Sequence, residues 1–326
     1  GRWAGRLVQV QNLPRNYIET LDTAREIVKN QNTEGLKMLY GNVSDTLSQL
    51  IRTAFIPSEN HKFVVADFSA IEARVIAWLS GEKWRQEVFA THGKIYEASA
   101  SQMFGVPIEK IVKGNPEYAL RAKGKVAELA LGYGGSTGAL IAMGAEDMGL
   151  TEDELKDIVR RWRSANKQIV NLWYTLEDAV VSLMETGSPQ TVKGIIFRRE
   201  GELVHGQHFM TVELPSGRKL YYPRPFMEDN RFGVPSLHYW GINQTTGKWE
   251  VQETYGGKLT ENIVQAISRD CLAVTLQRIQ EKGLQTVMHI HDEAVIDAPL
   301  NISVDEMCKM MGQPIRWAEG VILRAA

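Results

Sequence analysis

Hydrophobic positions along the chain change their period several times, and each change marks an element. Phe63 to Ala66 is a short β-type run, after which Ile71, Val75, Trp78 and Leu79 recur at helical spacing. Asp67 stands at that switch from strand to helix. Before it, a polar helical region runs from about Tyr17 to Ile51 with a break near "YGNVSD", and the opening "GRWAGRLVQVQNLPR" reads as irregular chain closed by Pro14. After it, helical patterns dominate from about Trp84 to Glu185, broken by "FGVP", "KGNP" and a glycine-rich stretch from Gly132 to Gly138. Two β-type stretches follow, "TVKGIIFRRE" and "HFMTVELPSGRKLYYP", the second turning at Pro215-Ser216-Gly217. A long helix from about Leu259 to Lys282 leads into "MHIHDEAVIDA", a hairpin-like stretch with His291-Asp292-Glu293 at its tip. The order strand, helices, strands, helix, hairpin predicts an α+β architecture with a helical insertion rather than a doubly wound sheet.

Composition narrows the class. The 326 residues, 44% hydrophobic and 23% charged, describe an ordinary globular chain of roughly two domains. Cys271 and Cys308 are too few for a disulfide framework and lack metal-ligand spacing, so a reducing compartment is expected. No apolar run reaches the length of a membrane span and no basic leader precedes a cleavage-like site, which predicts a cytoplasmic protein without a membrane partner. A net charge of −2 argues against a uniformly basic nucleic-acid binder and leaves room for a local basic face. The chain opens at Gly1 without an initiator methionine and reads as a piece of something longer.

Candidate chemistry lies at the ends of the β-type runs. Asp67 and Asp292 each end such a run, and two strands of one sheet would bring them side by side. Converging carboxylates repel unless a cation lies between them, and hard oxygen ligands with open positions suit Mg²⁺. Taken singly, each carboxylate also reads as an ordinary turn residue. A second pattern is "RAKGKVAELALGYGGS", in which Arg121, Lys125, Leu129 and Tyr133 recur every fourth residue as one stripe of a helix. Cations one turn apart suit successive phosphates of a triphosphate, and a ring further on suits a base. The same spacing also reads as an amphipathic surface helix. "GYGGST" has Thr137 where a dinucleotide fingerprint needs its third glycine, and no Walker-type "GxxxxGK" occurs.

"DFSAIEARVIAWLSG", "RAKGKVAELALGYGG" and "HIHDEAV", in this order, resemble the three polymerase motifs of family A DNA polymerases, most of all their bacteriophage and prophage members. "GRW…QNLPR", "LPSGRKLYYP" and "TYGGKLTENIVQAISRD" resemble flanking and connecting segments, so the likeness extends over nearly the whole chain. It implies a right-hand polymerase fold without the thumb: an antiparallel-sheet palm from residues 1–80 and 201–326, with helical fingers at 81–200. The expected reaction is template-directed addition of deoxynucleoside triphosphates to a primer on primer–template DNA. The expected molecule is a monomer. Two alternatives remain, a single-subunit RNA polymerase and a nucleic-acid-binding fragment that is inactive without its thumb. Glu72 at the sugar-gate position favours DNA synthesis over RNA synthesis.

Residue by residue, the resemblance implies that Asp67, Asp292 and the backbone carbonyl of Phe68 hold two Mg²⁺ ions, with Glu293 nearby as a catalytic carboxylate. Arg121 and Lys125 would hold the triphosphate, Lys125 with a catalytic role, and Tyr133 would lie by the templating base. Glu72 would exclude a ribose 2′-hydroxyl, although Ser69 and Glu72 also spell an S-x-x-E capping box. Arg74 reads as a structural ion pair or a phosphate contact. Arg2, with Arg6 as the weaker candidate, Gln265 and His291 would touch DNA. Leu129 and Tyr96 also face the nucleotide by this likeness but depart from it, since an aromatic ring and a histidine are usual there.

Overall fold

The computed structural model describes Trp3 and residues 9–203, 207–230 and 232–326. In chain order the elements begin with α1 (Leu21–Lys29), α2 (Thr33–Tyr40), α3 (Val43–Leu50) and β1 (His61–Asp67). Next come α4 (Ile71–Ser80), α5 (Lys83–Ala90), α6 (Ile95–Phe104), α7 (Leu120–Leu131), α8 (Thr137–Ala142), α9 (Glu152–Ala165) and α10 (Lys167–Thr186). A β-rich stretch follows: β2 (Gln190–Val192), β3 (Ile195–Leu203), β4 (Gln207–Glu213), β5 (Lys219–Pro223), β6 (Phe226–Asp229), β7 (Pro235–Ile242) and β8 (Trp249–Thr254). The chain closes with α11 (Gly256–Glu281), β9 (Gln285–Ile290), β10 (Glu293–Pro299) and α12 (Val304–Met311). The class is α+β, with every strand pairing antiparallel.

Two compact units divide these elements. One holds Ala70–Cys271 and Gly312–Leu323; the other holds Trp3, residues 9–69, Leu272–Met311 and Arg324–Ala326. The chain passes from the first to the second inside α11, between Cys271 and Leu272.

The second unit is built on a three-stranded sheet in the order β1-β10-β9. Along β1 the side chains alternate, Val64 and Ala66 buried while Val65 and Asp67 face outward, which follows from the two-residue repeat of a strand. Helix α12, with Met307 and Met311 fully buried, packs against β1. Ala325 forms a bridge with Phe68, and Asp67 and Ala326 exchange both backbone hydrogen bonds at 3.1 Å, so the last residues pair with the chain just as it leaves β1. The region read as one polar helical stretch folds as α1, α2 and α3. Asn32 and Asn42 cap the second and third by accepting from the amides of Gly35 and Asp45.

In the first unit α10 runs beside α4 and against β2 and β3. Its two sheets have the orders β2-β3-β4-β5 and β6-β7-β8, and Tyr222 of β5 meets Tyr239 of β7 edge to face at 4.9 Å. Lys193 and Gly194, at φ 51° and 80°, make the two-residue β2–β3 turn, whose positive φ values suit the twist of a tight hairpin. Among the described residues no helix is long and apolar enough to cross a membrane.

Candidate active site

Register brings the sequence-predicted carboxylates of the second unit together. Asp67 of β1 stands opposite Glu293 of β10, and Glu293 pairs in turn with Ile290 of β9, which leaves His291-Asp292 as the two-residue loop of the hairpin. His291 sits at φ 54°, a left-handed conformation that costs energy for a residue with a Cβ and clusters at functional sites. The amide of Phe68 donates to the carbonyl oxygen of Asp292 at 3.3 Å, tying the end of β1 to the loop. The Asp67 and Asp292 carboxyls are within hydrogen-bonding range of each other.

Burial and mutual charge set the electrostatics of this cluster. Burial pushes the Asp67 carboxyl above the usual aspartate range, opposed by the hydrogen bond with Asp292, by the Phe68 backbone and by nearby His291. Glu293 is also raised, first by burial and then by the charge of Asp67, with Arg52 pulling the other way. Two adjacent carboxylates meet this repulsion by sharing a proton or by sharing a metal. Among the described residues no group of three or more His, Cys, Asp or Glu side chains is placed to hold a metal ion by itself. The donor set is therefore two carboxylates with the Phe68 backbone beside them. All are hard oxygens, and a set this small fits Mg²⁺, which keeps waters and takes substrate phosphates as its remaining ligands.

The remaining candidates lie in the first unit. Helix α7 carries Arg121, Lys125 and Leu129, with Lys125 exposed and Leu129 51% exposed. Arg121 Nε donates to Glu97 Oε1 of α6 at 2.8 Å, and its guanidinium lies 5.4 Å from the centroid of the Tyr96 ring. That carboxylate holds Arg121 above its ordinary basicity, and burial raises the Tyr96 phenol. The helical stripe does not extend to its fourth member. Helix α7 ends at Leu131, and Tyr133 follows in a turn beside Gly134 at φ 82°.

Tyr133 reaches Glu72 instead. Its Oη donates to Glu72 Oε2 at 2.6 Å, and Gln265 Nε2 of α11 donates to both Glu72 oxygens at 3.2 and 3.3 Å. Burial raises the Tyr133 phenol well above its usual value, with the charge of Glu72 and the hydrogen bond to it adding to the rise. Gly257 fixes the other side of this residue, since a Cβ there would stand 2.2 Å from the Tyr133 carbonyl oxygen. Only the amide NH₂ can donate to a carboxylate, so the Gln265 side chain is oriented by Glu72. Among the described residues its buried Oε1 has no hydrogen-bond partner.

Glu72 and Arg74 both lie on α4. Helix α4 starts at Ala70, left-handed at φ 53° and with no side-chain cap of its own, and the Glu72 carboxylate accepts from Tyr133 and Gln265. Arg74 is buried, donating to the Ile322 carbonyl at 3.0 Å and lying over the Phe89 ring at 4.5 Å, contacts that fit the structural reading of this residue. Arg2 and Arg6 lie outside the described residues.

The sequence reading missed the surroundings of α7. A buried ion pair joins Arg85 of α5 to Glu128, with Arg85 Nη1 to Glu128 Oε1 at 2.9 Å and Nη2 on the other oxygen. Trp162 Nε1 donates to the same carboxylate at 3.0 Å, and Asn166 Oδ1 accepts from Arg85 at 2.9 Å. Trp173 Nε1 and Arg163 Nη2 hold the carbonyls of Gly132 and Gly135. Charged residues with helical neighbours of both signs carry no mark of burial in a sequence, and contacts 24 to 81 positions apart leave no periodic trace.

Comparison with known proteins identifies this assembly. The sequence pattern of DNA polymerase family A matches residues 11–199. The DNA polymerase of Bacillus phage SP02 is 57% identical over all of this chain, which spans 49% of that relative. The thermostable DNA polymerase I of Thermus aquaticus is 26% identical over 79% of this chain and 25% of its own length. In fold, the chain is similar to the polymerase domain of Pol1 from M. smegmatis, solved in complex with DNA primer-template and dNTP. That likeness has a TM-score of 0.54 and 20% identity, over 86% of this chain and 41% of the other.

Proposed function

Because the chain belongs to DNA polymerase family A, we propose that it is the catalytic region of a DNA-directed DNA polymerase, adding deoxynucleotides to the 3′ end of a primer paired with a template. The observation that carries this reading is the β1–β10 register, which sets Asp67 against the Asp292 loop with their carboxyls within hydrogen-bonding range of each other. Residues 1–80 and 201–326 act as the palm and residues 81–200 as the fingers. Primer–template DNA and deoxynucleoside triphosphates are the partners, as they are of the Pol1 domain from M. smegmatis. The polymerase works as a monomer in the cytoplasm of a bacterial host.

Asp67, Asp292 and the Phe68 carbonyl hold two Mg²⁺ ions. Bound Mg²⁺ supplies activation of the primer hydroxyl and neutralisation of charge on the phosphates. Glu293, kept neutral more easily than an ordinary glutamate, stands beside these ligands without being one of them. Exposed Lys125 and the outer end of Arg121 bind the triphosphate. Lys125 neutralises charge that develops on it, in the manner of a positioned cation at a phosphoryl centre. Leu129 covers the nucleotide with an apolar surface where other members place a ring. Glu72, fixed by Tyr133 and Gln265, closes the space that a ribose 2′-hydroxyl would need. His291 and Gln265 contact the duplex.

Primer extension by the purified chain with Mg²⁺ tests the proposal, run with deoxy- and ribonucleotides and with an Asp292→Asn control. Deoxynucleotide addition that vanishes in the control is the expected result. Extension that persists in Asp292→Asn, or that prefers ribonucleotides, refutes it.

A further inference from the structure

The contact between α6 and α7 fixes the geometry of Arg121 more tightly than an ion pair alone would. Arg121 is the second residue of α7 and Glu97 lies in the first turn of α6. Just before Lys125, a Cβ on Gly124 would come 2.2 Å from the Tyr96 carbonyl oxygen, so the two helices touch backbone to backbone there. This close approach places Tyr96 and Glu97 as a bracket around the Arg121 side chain, the ring 5.4 Å below the guanidinium and the carboxylate at its edge.

How the bracket grips matters. Glu97 takes the Nε hydrogen, while neither terminal nitrogen of Arg121 has a protein hydrogen-bond partner among the described residues. A guanidinium has five donors in a rigid plane, and holding it through Nε leaves the fork formed by Nη1 and Nη2 for a phosphate. Exposure follows the same division, with the Glu97 side chain 14% exposed and that of Arg121 35%. A cation in the first turn of a helix also faces the positive end of the helix dipole, a cost that an adjacent carboxylate offsets.

We infer that Glu97 is a positioning residue for nucleotide binding, presenting the Nη1–Nη2 edge of Arg121 to the triphosphate. The inference rests on the reading of Arg121 as a triphosphate ligand. Lys125, exposed and without an ion-pair partner among the described residues, then supplies unneutralised charge, while the bracketed Arg121 supplies direction. Glu97 touches neither substrate nor metal in this scheme and acts through Arg121 alone.

Single-nucleotide incorporation with the purified protein, Mg²⁺ and a primer–template separates the possibilities, using Glu97→Ala, Glu97→Gln, Arg121→Ala and the double variant Glu97→Ala/Arg121→Ala. Glu97→Ala is expected to raise KM for the deoxynucleotide on the order of tenfold, with primer–template affinity unchanged, as for loss of one charge-assisted hydrogen bond. Glu97→Gln, which retains an oxygen to accept from Nε, should restore most of that loss. The double variant should match Arg121→Ala, because a residue acting only through Arg121 has nothing left to position. A lower KM in Glu97→Ala would overturn the inference by making Glu97 a competitor of the triphosphate. Unchanged KM with a lowered melting temperature would reduce the pair to a tie between helices. Unchanged KM in Arg121→Ala would remove the triphosphate reading itself and this inference with it, whereas a raised KM there beside an unaffected Glu97→Ala would remove this inference alone.

Discussion

Tyr133 donates its hydroxyl to the Glu72 carboxylate at 2.6 Å, joining the turn after α7 to the first turn of α4. A gate must hold its shape against a substrate that differs by one hydroxyl group, and Glu72 is held by two donors rather than by packing alone.

Loosening that gate has a defined order of effects. Glu72→Ala removes the obstacle and should raise ribonucleotide use relative to deoxynucleotide use most. Tyr133→Phe removes one charge-assisted hydrogen bond, a loss of roughly 1.5–3 kcal/mol in a buried setting, and should change the ratio by at most about 10- to 100-fold. Gln265→Met removes the second donor with little change in volume and should shift the ratio in the same direction. Competing incorporation of the two nucleotide types measures all three. An unchanged ratio in Glu72→Ala would end the gate reading. A Gln265→Met protein that loses duplex affinity at constant ratio would show that Gln265 serves the DNA instead.

The carboxylate cluster should cost stability where it supplies chemistry. Asp67 and Glu293 have raised pKa values in the fold. For such groups the contribution to stability is complete below the unfolded-state pKa and is lost as pH rises through the folded one. At neutral pH without divalent ions, Asp67→Asn should therefore melt a few degrees above the parent protein, and the gap should close as pH falls towards about 4. Mg²⁺ should raise the melting temperature of the parent and not that of Asp67→Asn, since binding to the folded state stabilises it. Catalysis should fall in the variant by about 10³-fold or more. A variant less stable than its parent at pH 7 in chelator would contradict the electrostatic account.

Much of this arrangement was legible in the sequence because it depends on local period. Alternation through Val64 and Ala66, then helical spacing from Ile71 to Leu79, located the end of β1 and the start of α4. The hairpin signal located Asp292. One local rule failed where the helix itself ends. Four-residue spacing carries a stripe only as far as its helix, and the glycines from Gly132 onward release Tyr133 from it. Strand β7 escaped notice because it buries Ser236, Leu237 and His238 consecutively, which leaves no two-residue alternation to detect.

The ion pair between Arg85 and Glu128 was the least legible feature, and it makes the sharpest stability prediction. Its side chains are only 2% and 5% exposed. Desolvating two charges is costly, so the pair is a weak source of net stability while intact, but removing one member leaves the other charge buried and uncompensated. Glu128→Leu alone should therefore destabilise the protein by roughly 3–5 kcal/mol. It strips Arg85 of its counter-ion and Trp162 Nε1 of its acceptor, while Arg85 Nε already lacks a hydrogen-bond partner. Arg85→Met/Glu128→Leu removes both charges at similar volume and should recover a large part of that loss, which urea denaturation of the four proteins in the cycle measures. Since Glu128 lies next to Leu129 on α7, the single variant should also raise KM for the nucleotide by letting the helix turn about its axis, and the double variant should restore it. Equal destabilisation in the single and double variants would mean that the pair stabilises in its own right. Normal KM in a destabilised Glu128→Leu would mean that α7 is held in register by its apolar contacts and by the clamp of Trp173 and Arg163 at its end.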